Sequence, residues 1–152
     1  MASRQRRGGS IRNYDTGILT WSQHQAELLR QHAAAARIND TAIDWQNIIE
    51  DIEAAGQSQV DQVDSWLFQM ALHLLKSEAW PLSNSVPHWQ GKARAFRAQA
   101  RRKYRASMAQ KIDLPGLYAD ALEAMPDTID GVPPLPVSNV CPWTLAGLMS
   151  DV

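Results

Sequence analysis

Apolar residues recur along this chain at spacings of three and four, the pattern of helices that bury one face. Nowhere do they alternate with polar residues over a β-branched run, so strands are not expected. The first predicted helix starts at Thr20, where Thr20-Trp21-Ser22-Gln23 has capping-box form. Trp21, Leu28 and Leu29 give its apolar side, and alanines 33–36 continue it. Asn39-Asp40-Thr41 then supplies a break with N-cap candidates. A second helix is predicted from Ile43 to Ala55, with Trp45, Ile48, Ile49 and Ile52 on one face. Gly56 suits the left-handed residue that closes such a helix, and Ser58 suits the cap of a third helix reaching Ala79. Val60, Val63, Leu67, Met70 and Leu74 form the seam of that third helix. Phe68, Leu72 and Leu75 make its second half apolar nearly all round, as expected of a central helix packed on several sides.

Pro81 to Pro87 reads as a connection, and a fourth helix is predicted from His88 to Ile112. Its buried side is Trp89, Ala93, Phe96, Ala100, Tyr104 and Met108. A fifth, short helix opens at Pro115 and runs to Met125. Residues 126–141 contain Pro126, Pro133, Pro134 and Pro136 and are read as an extended surface segment. Pro142-Trp143-Thr144-Leu145 then opens one last turn or two of helix. The fold class expected is all-α, a compact antiparallel bundle of about four main helices plus short C-terminal helices. Residues 1–13, with Gly8 and Gly9 and no apolar anchor, are expected to form a flexible basic arm. Residues 14–152 are expected to form one helical domain, with a proline-rich segment at 126–142. A chain of 152 residues is long enough to bury about two-thirds of its unfolded surface.

Several pieces together resemble a known family. They are Tyr14-Asp15-Thr16 with Trp21 and Leu28-Leu29, then the run from Asp44-Trp45-Gln46 to Glu53 followed by Gly56, and His73-Leu74-Leu75-Lys76. Trp89 with Arg97, Leu114-Pro115-Gly116-Leu117 and the closing Cys141-Pro142-Trp143-Thr144-Leu145 continue the likeness. In this order and spacing they resemble the bacterial "domain of unknown function" family numbered 29, with a shorter segment between Ala124 and Cys141. The resemblance implies an α-helical domain with no assigned activity, and it places Glu50 and Glu53 within the family pattern.

Charge changes the picture more than composition does. The net charge is −1, but the charges are segregated. Between residues 40 and 78, Asp40, Asp44, Glu50, Asp51, Glu53, Asp61, Asp64 and Glu78 face only Lys76. The predicted fourth helix carries Lys92, Arg94, Arg97, Arg101, Arg102, Lys103 and Arg105 and no acid, and the arm adds Arg4, Arg6, Arg7 and Arg12. On a continuous helix Arg94, Arg97, Arg101 and Arg105 share one stripe. The stripe is expected either to pair with the acidic segment, Arg97 reaching Glu50 or Glu53, or to bind phosphate with the arm. No aromatic residue is interleaved with these arginines on the exposed side, which argues against stacking on single strands.

The remaining chemistry is sparse. Glu50, Glu53 and His73 are the candidates for a metal or acid–base cluster, yet no Glu-x-x-His pair is present. His73 is expected near the core as a hydrogen-bonded residue, and His24 and His32 at the surface or core edge. Cys141 is the only cysteine, excludes an intrachain disulfide and is expected to be structural. Six tryptophans point to core packing. Trp143, after the proline-rich segment, is expected to dock that tail or to anchor a partner. No catalytic residue, metal site or cofactor is expected, and no apolar run is long enough to span a bilayer. A cytoplasmic, non-enzymatic protein-interaction or regulatory module is the leading expectation, with an unknown protein partner or self-association. Nucleic-acid binding through the arm and the Arg94–Arg105 stripe is the alternative, and a metal-dependent enzyme the third.

Overall fold

The structure, a computed structural model, describes residues 17–35 and 43–150. The expected arm at 1–13 and the Asn39-Asp40-Thr41 break lie outside the described residues. The elements are α1 (Ile18–Ala35), α2 (Trp45–Ala79), α3 (Val86–Lys103), a 3-10 segment (Ala106–Lys111), α4 (Leu114–Glu123) and α5 (Leu145–Met149). The all-α class is therefore correct, and the described residues form four main helices and a short C-terminal one. The chain divides into two compact units, residues up to Val60 with Arg105–Met108, and Asp61–Tyr104 with Ala109 onward.

In the first unit, α1 begins two residues before the predicted cap. Gly17 stands at φ +139°, and its carbonyl accepts from the Trp21 N–H at 3.1 Å. Ser22, expected within a capping box, is instead buried in the helix, its hydroxyl donating to the Leu19 carbonyl at 2.9 Å. Asp44 caps α2, its carboxylate accepting from the Asn47 N–H at 3.3 Å. The predicted stop at Gly56 does not occur, and one 35-residue helix replaces the expected second and third. The reason is packing. A β-carbon on Gly56 would collide with the Ser22 hydroxyl and lie 3.1 Å from the Leu19 Cα. Glycine is there to let α1 and α2 touch backbone to backbone, not to end a helix. The Arg30–Glu53 ion pair and the His32–Trp45 ring contact at 6.0 Å follow farther along, so the two segments run antiparallel.

In the second unit, Val63, Leu67 and Met70 of the predicted α2 seam are almost wholly buried, while its last member, Leu74, is half-buried and the neighbouring Leu75 takes the buried place. Helix α3 starts at Val86 and takes Pro87 into its first turn, where the missing N–H has no helical partner to lose. It ends at Lys103, well short of the predicted Ile112, because Tyr104 turns to an extended conformation with φ −60° and ψ 138°. The three cations of its last turn complement the negative end of the helix dipole. Asp113 caps α4 by accepting from the Gly116 N–H, and Thr144 caps α5 by accepting from the Gly147 N–H, both at 3.1 Å.

The proline-rich segment is more structured than an extended strap. Asp130 and Gly131 sit at φ 52° and 76°, and Ile129 and Val132 exchange both backbone hydrogen bonds around them. Two consecutive positive φ values with this pairing make a type I′ turn, for which Asp-Gly is a preferred sequence. Leu135 N–H then donates to the carbonyl of Ala79 at 2.9 Å, satisfying one of the acceptors left at the end of α2.

Candidate functional site

The second unit holds a concave surface at the end of α2. Its basis is the Ala79–Trp80–Trp89 cluster, packed by Val86, Met125, Ile129 and Val137. Trp80 is 4% exposed, and its indole N–H donates to the Val132 carbonyl at 2.8 Å. That bond and the Leu135–Ala79 bond pin the type I′ turn and the following prolines across the end of α2. Between the two segments lies a cleft of about 360 Å³, lined mainly by Trp80, Pro81, Leu82, Ile129, Val132 and Leu135. The side chain of Leu82 is 96% exposed on its rim, with Val132 and Leu135 each 54% exposed. An open leucine in a contiguous apolar patch is costly to leave in water, which marks such surfaces as contact sites. In the sequence Pro81 stands out only as a helix end and Trp80 as a core tryptophan, and none of these residues is marked as part of a site. Pro81–Pro87 reads as a bare connection, and the Asp130-Gly131 signal was the one cue available.

The residues that were singled out fall into separate settings. In the first unit Glu53 pairs with Arg30, and Glu50 accepts from the Gln46 side-chain amide one turn earlier. In the second, His73 Nδ1 is 2.6 Å from the Gln69 carbonyl, with its ring 5.7 Å from that of Phe96. Among the described residues, no three His, Cys, Asp or Glu side chains are grouped to hold a metal ion. Arg97 turns toward the tail. Its Nε donates to the Leu148 carbonyl at 2.6 Å, and Nη2 reaches the carbonyls of Gly147 and Ser150 at 3.3 Å. One guanidinium thus caps the C-terminal end of α5 with charge-assisted bonds.

The arginine stripe is divided by the early end of α3. Arg94 is exposed, Arg97 is committed to α5, and Arg101 lies in the last turn. Arg105 lies beyond the helix in the first unit, its aliphatic stem beside Gly17. Trp143 packs edge-on against Tyr118 at 5.4 Å between ring centroids. The Tyr118 hydroxyl donates to the Ser138 carbonyl at 2.5 Å, so the two rings hold the tail on both sides of Cys141. Burial raises the Tyr118 pKa, and Glu78 and Cys141 add to the shift.

The remaining electrostatic feature is a repulsive one. Burial raises the carboxyl of Asp64 above the usual aspartate range, and the charges of Asp61, Asp120 and Asp113 push the same way. A carboxyl whose pKa is higher folded than unfolded favours folding at low pH and opposes it once ionised. Stability from this group is therefore full below the ordinary aspartate pKa and is lost as pH rises through its folded-state value. Asp64→Asn is expected to unfold at higher urea concentration than the parent at neutral pH, with the gap narrowing on acidification through the carboxylate range. A gap independent of pH would assign the effect to something other than this charge.

These features define an all-helical protein whose described surface offers clefts and capped helix ends. The chain from residue 13 to residue 152 matches the family described as Domain of unknown function DUF29, and it belongs to that family. Among solved structures it is similar to an alpha-helical protein of unknown function from Rhodospirillum rubrum, with 20% identity and a TM-score of 0.79. That likeness covers 91% of this chain and 89% of the other, and at this identity it shows the fold. Among curated proteins none matches. No helix of the described residues is long and apolar enough to cross a membrane.

Proposed function

We propose that this protein is a non-enzymatic interaction module that self-associates through the Leu82 cleft. The observation that carries the reading is the juxtaposition of a protruding leucine, 96% exposed, with an apolar hollow of about 360 Å³. A knob and a hole on one face are what a two-fold contact between identical copies requires, each leucine entering the hollow of the other copy. Val132 and Leu135 extend the apolar surface around the point of entry. The patch is small, so the association is expected to be weak and reversible.

Sedimentation velocity across a concentration series tests this. The parent is expected to shift from monomer to dimer, and Leu82→Asp to remain monomeric while unfolding at an unchanged urea concentration. A parent that stays monomeric at every accessible concentration contradicts the reading. Nucleic-acid binding is the competing reading, resting on the basic C-terminal turn of α3. It predicts steeply salt-dependent affinity for random duplex DNA, which Leu82→Asp leaves unaltered.

A further inference from the structure

A second hollow, of about 500 Å³, lies elsewhere in the second unit and shares no lining residue with the Leu82 cleft. Met70 and Leu74 of α2 form its apolar floor, and Trp143 and Leu148 of the tail form one wall. Arg94 and Arg97, one turn apart on α3, also line it, and no acidic residue does. Among the described residues neither arginine is bonded to a carboxylate. Arg97 spends Nε and Nη2 on backbone carbonyls of the tail, which satisfies donors without neutralising the charge. Arg94 is exposed, with its guanidinium alongside Gly91.

Two guanidinium groups beside an apolar floor and an indole ring complement one kind of ligand, an anion carried on an apolar body. The hollow also falls within the range of about 300–1,000 Å³ usual for small-molecule sites. We propose that it binds a small amphipathic carboxylate. The apolar body lies against Met70, Leu74 and the Trp143 ring. The carboxylate pairs with Arg94, and Arg97 adds its field while holding α5. Because Arg97 also ties down the helix that walls the site, the ligand contacts both α3 and the tail and adds to their attachment.

Isothermal titration calorimetry of the full chain separates the parts of this claim, using 1-naphthoate, the uncharged 1-naphthalenemethanol and acetate as probes. Naphthoate is expected to bind at least about tenfold more tightly than the alcohol, the effect of one charge-assisted hydrogen bond. Acetate, which lacks the apolar body, is expected to give no measurable heat. Arg94→Gln is expected to bring naphthoate down to the level of the alcohol. Lys92→Gln, an exposed cation on the same helix outside the hollow, is expected to leave binding unchanged. Both positions are exposed, so each variant is expected to give the helical circular dichroism spectrum of the parent. The proposal is overturned if naphthoate fails to bind or binds no better than the alcohol. It is equally overturned if the two variants behave alike.

Discussion

Gly56→Ala is expected to destabilise the protein by about 1–2 kcal/mol, although alanine inside an exposed helix is normally worth about 1 kcal/mol over glycine. The opposite sign follows from the contact with α1. The added methyl displaces the buried Ser22 hydroxyl from its bond to the Leu19 carbonyl, and it presses on the Leu19 backbone at 3.1 Å. A hydroxyl can rotate away, whereas a helix backbone has to shift as a whole. Gly56→Leu is expected to cost about 3 kcal/mol or more, enough to detach α1 from residues 45–60 of α2. Ser22→Gly in the Gly56→Ala background removes both Ser22 atoms that crowd the site and should recover part of the loss. Urea denaturation of the single and double variants reads this coupling directly. A stabilised Gly56→Ala would mean that the two helices do not meet at this glycine.

Arg97→Met is expected to release the C-terminal tail while leaving most of the protein folded. Methionine keeps the apolar stem but loses every donor to the carbonyls of Gly147, Leu148 and Ser150. For a partly exposed, charge-assisted cap the loss is about 2 kcal/mol, or about 30-fold faster exchange of the Leu148 amide if it exchanges by local opening. Arg97→Lys restores the charge without the planar fork and should recover only part of the protection. Unchanged protection of Leu148 in Arg97→Met would remove the guanidinium from the attachment of α5. The same substitution should weaken 1-naphthoate binding, since Leu148 and Trp143 wall that hollow.

The all-helical class and the buried seam of α2 are legible because both depend on periodicity within one segment. Val60, Val63, Leu67 and Met70 occupy the same side of a helix whatever packs against it, and all four are buried. Gly56 is different. A glycine at a helix stop and a glycine at a close helix crossing look alike along the chain. Ser22 and Leu19, which decide between them, lie more than thirty residues away. The end of α3 carries no glycine or proline at Tyr104-Arg105, so nothing local announces that it turns there. That ending divides the arginine stripe, which requires an unbroken helix to Arg105.

The candidate surfaces were less legible than the helices. Arg97 and Trp143 stand out in the sequence, and both line the hollow beside the tail, but its apolar neighbours Met70, Leu74 and Leu148 come from α2 and α5. The Leu82 cleft joins a loop to a turn some fifty residues later. Its one local sign was Asp130-Gly131, obscured by the prolines around it. Glu50, Glu53 and His73 share a family pattern, yet in the structure Glu50 and His73 each bond one turn back on α2 and Glu53 pairs with Arg30 of α1.

Self-association through the Leu82 face can be read from a single spin label placed beside it. With Cys141→Ser removing the native thiol, Asn84→Cys carries a nitroxide on the lining of the cleft. In a two-fold contact the two labels of a dimer face each other across the interface. Double electron–electron resonance is then expected to show a defined dipolar coupling that disappears when Leu82→Asp is added. A label that shows only the uncoupled background of isolated monomers, or a coupling that survives Leu82→Asp, would contradict association through this cleft.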